Sequence, residues 1–283
     1  MSTTTSDPET VSIKHLSFSH QNGTKALVDV NLSVQRGSRV LLIGSNGAGK
    51  STLLQILAGK RMVPAGSVEL LQHDVFRQSP PGVTFLGTEW AMNAVVRGDI
   101  KVSVFLDSVG GYRHKARRDL LLGILDVDLE WRMHQISDGE RRRVQLVMGL
   151  MAPWDVLLLD EVTVDLDVLV RHDLISFLIK ETEERNATIL YATHIFDGLE
   201  SFPTHVVHMR DGTLVDQPVP WPIRNVEATH TSLYNLALTW LKEDRAIRLS
   251  AEAAGQRTKR GARDSDQVPT DSETFYKKYD YAH

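Results

Sequence analysis

Eight consecutive residues carry the clearest chemistry in the chain: Gly44-Ser45-Asn46-Gly47-Ala48-Gly49-Lys50-Ser51. Glycines at this spacing let the backbone curl so that successive N–H groups converge on an anion. The lysine that follows supplies a cation for β- and γ-phosphates, and the serine hydroxyl suits Mg²⁺. Much later, Val156-Leu-Leu-Leu159 runs into Asp160-Glu161, and Ala187-Thr-Ile-Leu-Tyr-Ala192 runs into Thr193-His194. Alone, the acidic pair could as well cap a helix. Beside a phosphate loop the two carboxylates take on distinct roles. Asp160 is placed to hold Mg²⁺ through water. Glu161 is the natural general base, or water-positioner, for attack on a γ-phosphate.

These residues need particular elements beneath them. Arg39-Val-Leu-Leu-Ile43 is an apolar run of the kind buried on both faces of a parallel sheet. It feeds the glycine loop, and a helix over Ser51 to Leu57, ended by Gly59, presents its positive N-terminal end to the same anion. Val156–Leu159 and 187–192 read as two further core strands, with a helix at Leu169–Glu184 between them; strand, helix, strand at this spacing predicts a parallel α/β core. Strand C-terminal ends form the ligand crevice of such a sheet, which brings the acids to the phosphates. Val11–Ile13, Ala26–Val28 and Val30–Val34 read as short strands before the core, and Arg210-Asp-Gly-Thr213 as a hairpin turn near its end.

Composition narrows the classes. The chain has 283 residues, a formal charge of −4 and no cysteine, which excludes disulfides, thiolate zinc and a cysteine nucleophile. No stretch approaches the roughly 18–20 apolar residues that span a bilayer, and the first residues lack the order of a secretory signal. The reading is a protein without membrane insertion, cytoplasmic or also nuclear. Residues 1–10 are polar and read as a flexible N-terminus, 11–217 as one cassette, 218–255 as a helical extension, and 256–283 as a disordered tail. Leu233, Leu236, Ala237, Trp240 and Leu241 recur at helical spacing, for docking on the chain's own domain or on a partner.

Ile136-Ser137-Asp138-Gly139-Glu140-Arg141-Arg142-Arg143-Val144-Gln145 resembles the signature motif of ATP-binding-cassette proteins, and His194 matches that family's switch histidine. The order and spacing of the motifs resemble the family's from about residue 11 to 215. The resemblance implies an α/β P-loop NTPase fold: a RecA-like parallel core, an N-terminal antiparallel β subdomain and a small helical subdomain, here about 93–150, plus the C-terminal helix. It implies ATP and Mg²⁺ as ligands, and hydrolysis of ATP to ADP and phosphate with Lys50, Glu161 and His194 as catalytic residues. Gly44 to Thr52 would bind nucleotide, Ser51 and Asp160 the metal, and His20 the adenine. It also implies an ATP-dependent pair, a homodimer or a dimer with a related cassette, in which Ser137 and the Gly139 amide bind the γ-phosphate held by the other copy.

Several positions depart from the family pattern. His20 stands where an aromatic normally stacks on adenine. After Val83-Thr-Phe-Leu86 the chain reads Gly87-Thr88-Glu89-Trp90, without the usual glutamine, so Thr88 or Glu89 substitutes or the link is absent. Asp138 and Glu140 add carboxylates to the signature, and Val162 and Val164 replace a proline and a serine. The three arginines spread around their helix and form no single face, so no direct nucleic-acid contact is expected. These departures resemble a eukaryotic group of single-cassette ATPases that includes a fungal Ccr–Not-associated protein and plant class-I relatives. Three readings follow: a dimeric ATPase switch regulating a transcription or mRNA-decay (Ccr–Not-type) complex, the ATPase subunit of a transporter with a separate membrane chain, or an ATP-gated scaffold with little turnover.

Overall fold

The computed structural model describes residues 9–64, 66–78, 80–87, 90, 94–223 and 232–257. They belong to two compact units, Met1–Leu241 and Lys242–His283. The first unit contains two sheets.

The smaller sheet is antiparallel, with strand order β2-β1-β4-β5. It comprises β1 (Glu9–Ser19), β2 (Lys25–Gln35), β4 (Val68–Leu70) and β5 (His73–Asp74). Glu9 and Thr10, read from sequence as part of a loose terminus, open β1, and Thr10 is buried. The β1–β2 ladder runs from Glu9↔Gln35 to Ser19↔Lys25 with several register shifts. Left-handed backbone at His15 and Asp29 accompanies these irregularities and breaks the alternation that would have revealed one long strand.

The larger sheet has the order β10-β9-β3-β8-β7-β6. Its parallel members are β3 (Arg39–Ile43), β6 (Val83–Leu86), β7 (Val156–Asp160), β8 (Thr188–Ala192) and β9 (His205–Arg210). Successive side chains serve opposite faces. Leu41, Ile43, Leu157, Leu159, Ile189 and Tyr191 enter one apolar cluster, while Val40, Leu42, Val156, Leu158, Leu190 and Ala192 enter the other. The expected continuous apolar runs are therefore buried on both sides. Helix α1 (Lys50–Leu57) packs Leu53, Leu54, Ile56 and Leu57 into the cluster shared with the antiparallel sheet. Helices α2 (Val102–Ser108), α3 (Lys115–Ile124), α4 (Asp138–Leu150) and α5 (Val168–Arg185) supply the opposite cluster.

The predicted hairpin is present: β10 (Thr213–Leu214) pairs antiparallel with β9, with left-handed Asp211 and Gly212 at the turn. A further two-residue strand, β11 (Val219–Pro220), pairs with the start of β9. Its brevity and its proline hid it in the sequence. Helix α6 (Leu233–Ala253) is longer than the apolar repeat that predicted it. Leu233, Leu236 and Ala237 are buried in the first unit, and the Trp240 ring stacks on His208 at 4.7 Å.

A buried ionic contact ties α3 to α5. Arg117 donates twice to Glu181, each bond 2.6 Å, and Arg185 donates to the same carboxylate at 2.7 Å. Burial pushes the Glu181 carboxyl up, but the two guanidinium groups outweigh it and hold the group below the usual carboxylate range. Removing one member leaves buried charge unpaired, so Glu181→Ala is expected to lower stability by about 3 kcal/mol. Urea unfolding checks this, and an unchanged midpoint would contradict it.

Candidate active site

The glycine loop leaves β3 and turns directly into α1, as its sequence required. Gly49 sits just before the helix at φ 102°, a conformation that side chains oppose, and a Cβ there would come within 2.8 Å of the Ala26 carbonyl oxygen. Gly44 packs as tightly, since its Cβ would lie 2.3 Å from the Met209 carbonyl oxygen. No side chain caps the helix, so the amides of its first turn remain for a ligand. Those amides and the positive end of α1 make an anion site.

A cleft of about 470 Å³ opens over this loop. Asn46, Gly47, Ala48, Gly49, Lys50, Ser51 and Thr52 line it, with Glu161 and, from the turn between β1 and β2, His20. Gly44 and Ser45 form the loop's base: their carbonyl oxygens accept from Lys50 Nζ at 2.6 and 3.2 Å. Lys50 is 7 % exposed. Burial draws its ammonium below the ordinary lysine value, while Glu161 and Asp160 favour the charged form. Thr24, Lys25 and Ala26 also line the cleft. Sequence reasoning missed them, because only the close approach of Gly49 to Ala26 brings β2 to the loop.

Beyond β3 lies β8, then β7, so three parallel strand ends lie side by side on the edge that carries the glycine loop. Asp160 ends β7, is 6 % exposed, and accepts from the Ser51 hydroxyl at 3.0 Å. A buried carboxylate facing a hydroxyl is a hard-oxygen pair, which fits Mg²⁺ held by few protein ligands plus phosphate oxygens. Glu161 follows at φ 54°, a left-handed conformation unusual for glutamate, and its N–H donates to the Ala192 carbonyl at 3.0 Å. Its Oε2 stands 2.8 Å from His194 Nδ1 yet accepts no directed hydrogen bond, so that oxygen keeps acceptor capacity. The His194 side chain is exposed.

Helix α4 begins with a capping box. Ser137 Oγ accepts from the Glu140 N–H, while Glu140 Oε2 accepts from both the Ser137 N–H and the Ser137 hydroxyl at 2.8 Å. Those bonds hold the Glu140 carboxyl below its usual range. Asp138 is turned onto Arg141. The two extra carboxylates of the signature are thus engaged within α4. Ser137 and Gly139 do not line the cleft formed by their own chain. Val162 is buried in the core, Val164 is exposed, and Thr88 and Glu89 lie outside the described residues.

A family model described as "ABC transporter" matches residues 27–164. ABC transporter I family member 20 of Arabidopsis thaliana is 44 % identical over 256 residues, covering 83 % of this chain and 77 % of the relative. The chain belongs to the ATP-binding-cassette family. CCR4-associated factor 16 of Saccharomyces cerevisiae is 40 % identical to this cassette over 278 residues, which is 84 % of this chain and 96 % of the relative. A solved structure of an ATP-binding subunit of an ABC transporter matches the fold with a TM-score of 0.65 at 21 % identity, covering 81 % of this chain and 98 % of that chain. CbiO1 from Clostridium perfringens, part of the CbiONQ transporter complex, matches with 0.60 at 21 %, covering 88 % and 98 %. Cassettes of this family bind and hydrolyse ATP. No helix among the described residues is long and apolar enough to cross a membrane.

Charged hydrogen bonds contribute about 1.5–3 kcal/mol each, so Lys50→Ala is expected to weaken ATP binding by roughly ten- to a hundredfold. Equilibrium titration with a fluorescent ATP analogue measures this. Unchanged affinity would contradict the placement of phosphates over this loop.

Proposed function

We propose that this chain hydrolyses ATP to ADP and phosphate, and that two copies pair around the nucleotide as a switch. The observation that carries the reading is a cleft lined by the glycine loop, Ser51 and Glu161, with Asp160 bonded to Ser51 and His194 beside Glu161, while Ser137 and Gly139 of the same chain do not line it. A site built this way has a cradle for the phosphates and still needs a second wall.

The phosphates rest on the amides of Gly47 to Thr52, and Lys50 turns its ammonium from the loop carbonyls to the β- and γ-phosphates. Ser51 and Asp160 would hold Mg²⁺, which when bound would neutralise charge on the phosphate oxygens. Glu161 orients a water and takes its proton as the water oxygen bonds to the γ-phosphorus; the bond to the β–γ bridging oxygen breaks and ADP leaves. His194 stands beside the Glu161 carboxylate and turns to the γ-phosphate. Helix α4 of the second copy presents Ser137 and the Gly139 amide to that phosphate, which requires the Ser137 hydroxyl to exchange Glu140 for the ligand. His20 covers the adenine. A two-fold pair of identical chains is self-complementary, so a homodimer satisfies both sites at once.

For the biological output, the likeness to a CCR4-associated factor over 96 % of that relative's length supports action on a transcription or mRNA-decay complex of the Ccr–Not type, in the cytoplasm or nucleus. Recovery of Ccr–Not subunits with the tagged chain is expected. Recovery of membrane proteins alone would favour a transporter subunit.

Removing a general base typically costs about 10²–10⁴-fold, so Glu161→Gln is expected to lower steady-state phosphate release by that order while ATP stays bound. Release by the variant at the wild-type rate would overturn the role given to Glu161. A wild type that binds ATP without turnover would favour an ATP-gated scaffold.

A further inference from the structure

The middle arginine of Arg141-Arg142-Arg143 has a different set of partners from its neighbours. Arg141 donates to the Met133 and Ile136 carbonyls, and Arg143 to the Leu125 and Asp126 carbonyls, all within the segment that precedes α4. Arg142 reaches out of that segment. Its Nη1 donates to the Gly87 carbonyl at 3.1 Å and to Gln145 Oε1 at 2.6 Å, and its Nε lies 3.8 Å from Asp165 Oδ2. Gln145 Nε2 donates to the same Gly87 carbonyl at 3.0 Å. Arg142 is 8 % exposed and Gln145 2 %.

Both targets adjoin the metal-side carboxylates. Gly87 follows β6, and a Cβ built on it would stand 3.8 Å from Asp160 Cβ. Asp165 belongs to the loop that starts at Glu161 and ends at Asp167, whose side chain caps α5. The same stripe of α4 closes on that loop at a second point, because a Cβ on Gly139 would come within 3.1 Å of the Asp165 carbonyl oxygen. A buried guanidinium is costly unless its donors are met, and only its planar fork spans three segments at once.

We infer that Arg142 is a positioning residue: it ties α4, which carries Ser137 and Gly139, to the strand end at Gly87 and to the loop after Glu161, so that the helix and the catalytic carboxylates keep one registration. This rests on the ATPase reading for its effect on turnover, though not for the clamp. Arg142 does not line the cleft over the glycine loop. Its loss displaces α4 relative to Asp160 and Glu161, and misplacement near 1 Å costs about a hundredfold in rate.

Full-length wild type, Arg142→Gln, Arg142→Lys, Asp165→Asn and Arg143→Gln are compared by steady-state ATPase kinetics and by amide hydrogen exchange of peptides covering 83–87 and 161–167. Arg142→Gln is expected to lower kcat about a hundredfold with KM for ATP unchanged, and to speed exchange in both peptides. Lysine does not rescue it, Asp165→Asn speeds exchange in the second peptide alone, and Arg143→Gln leaves kcat and both peptides as in wild type. Wild-type exchange and kcat in Arg142→Gln would overturn the inference, as would an equal change in Arg143→Gln. If wild type shows no turnover while the exchange pattern holds, the functional reading fails and the clamp stands. Should Arg142→Gln not fold, unchanged exchange at 161–167 in Asp165→Asn overturns the inference.

Discussion

An uncapped helix start, packed where no side chain fits, is the constraint on which the structure depends. Gly49 has to approach the Ala26 carbonyl and Gly44 the Met209 carbonyl, so the loop is pinned from the antiparallel sheet on one side and from β9 on the other. The amides of α1 then face a cleft and not the core. The elements that carry the chemistry support that placement. β3 is buried on both faces to hold the loop rigid, and β8 and β7 lie beside it so that His194, Asp160 and Glu161 emerge at the same level.

The charges at the cleft are arranged to accept an anion in spite of two carboxylates. Asp160 is engaged by the Ser51 hydroxyl and Glu161 is flanked by His194, while Lys50 sits buried over the loop carbonyls. At the start of α4, the capping box draws Glu140 back onto Ser137 and Arg141 draws Asp138 aside. The carboxylates that look incompatible with a triphosphate in the sequence are engaged within the helix that carries them.

Where structure is built from local patterns, the sequence was legible. The apolar runs at 39–43 and 156–159, the glycine loop, and the acidic and histidine strand ends all lie where their spacing predicted, because each strand is buried on both faces and each motif is contiguous. What was not legible arises from contacts distant in sequence. Register shifts near His15 and Asp29 concealed the full length of β1, β11 is too short to have a period, and the place of Thr24 to Ala26 in the cleft depends on a sheet packing against a loop. The inward turn of all three arginines follows from partners at Met133, Gly87 and Asp126, which no helical wheel specifies.

Under the pairing proposed above one chain does not complete the site, and Ser137 and Gly139 do not line the cleft of their own copy. The natural absence of cysteine permits a direct measurement. One preparation carries Asn46→Cys and a second Asp138→Cys, both with Glu161→Gln, and they are mixed with a short bifunctional thiol cross-linker, with and without ATP. The account predicts a cross-linked dimer that needs both preparations and ATP. ATP binding without that product would contradict head-to-tail closure of two copies around the nucleotide.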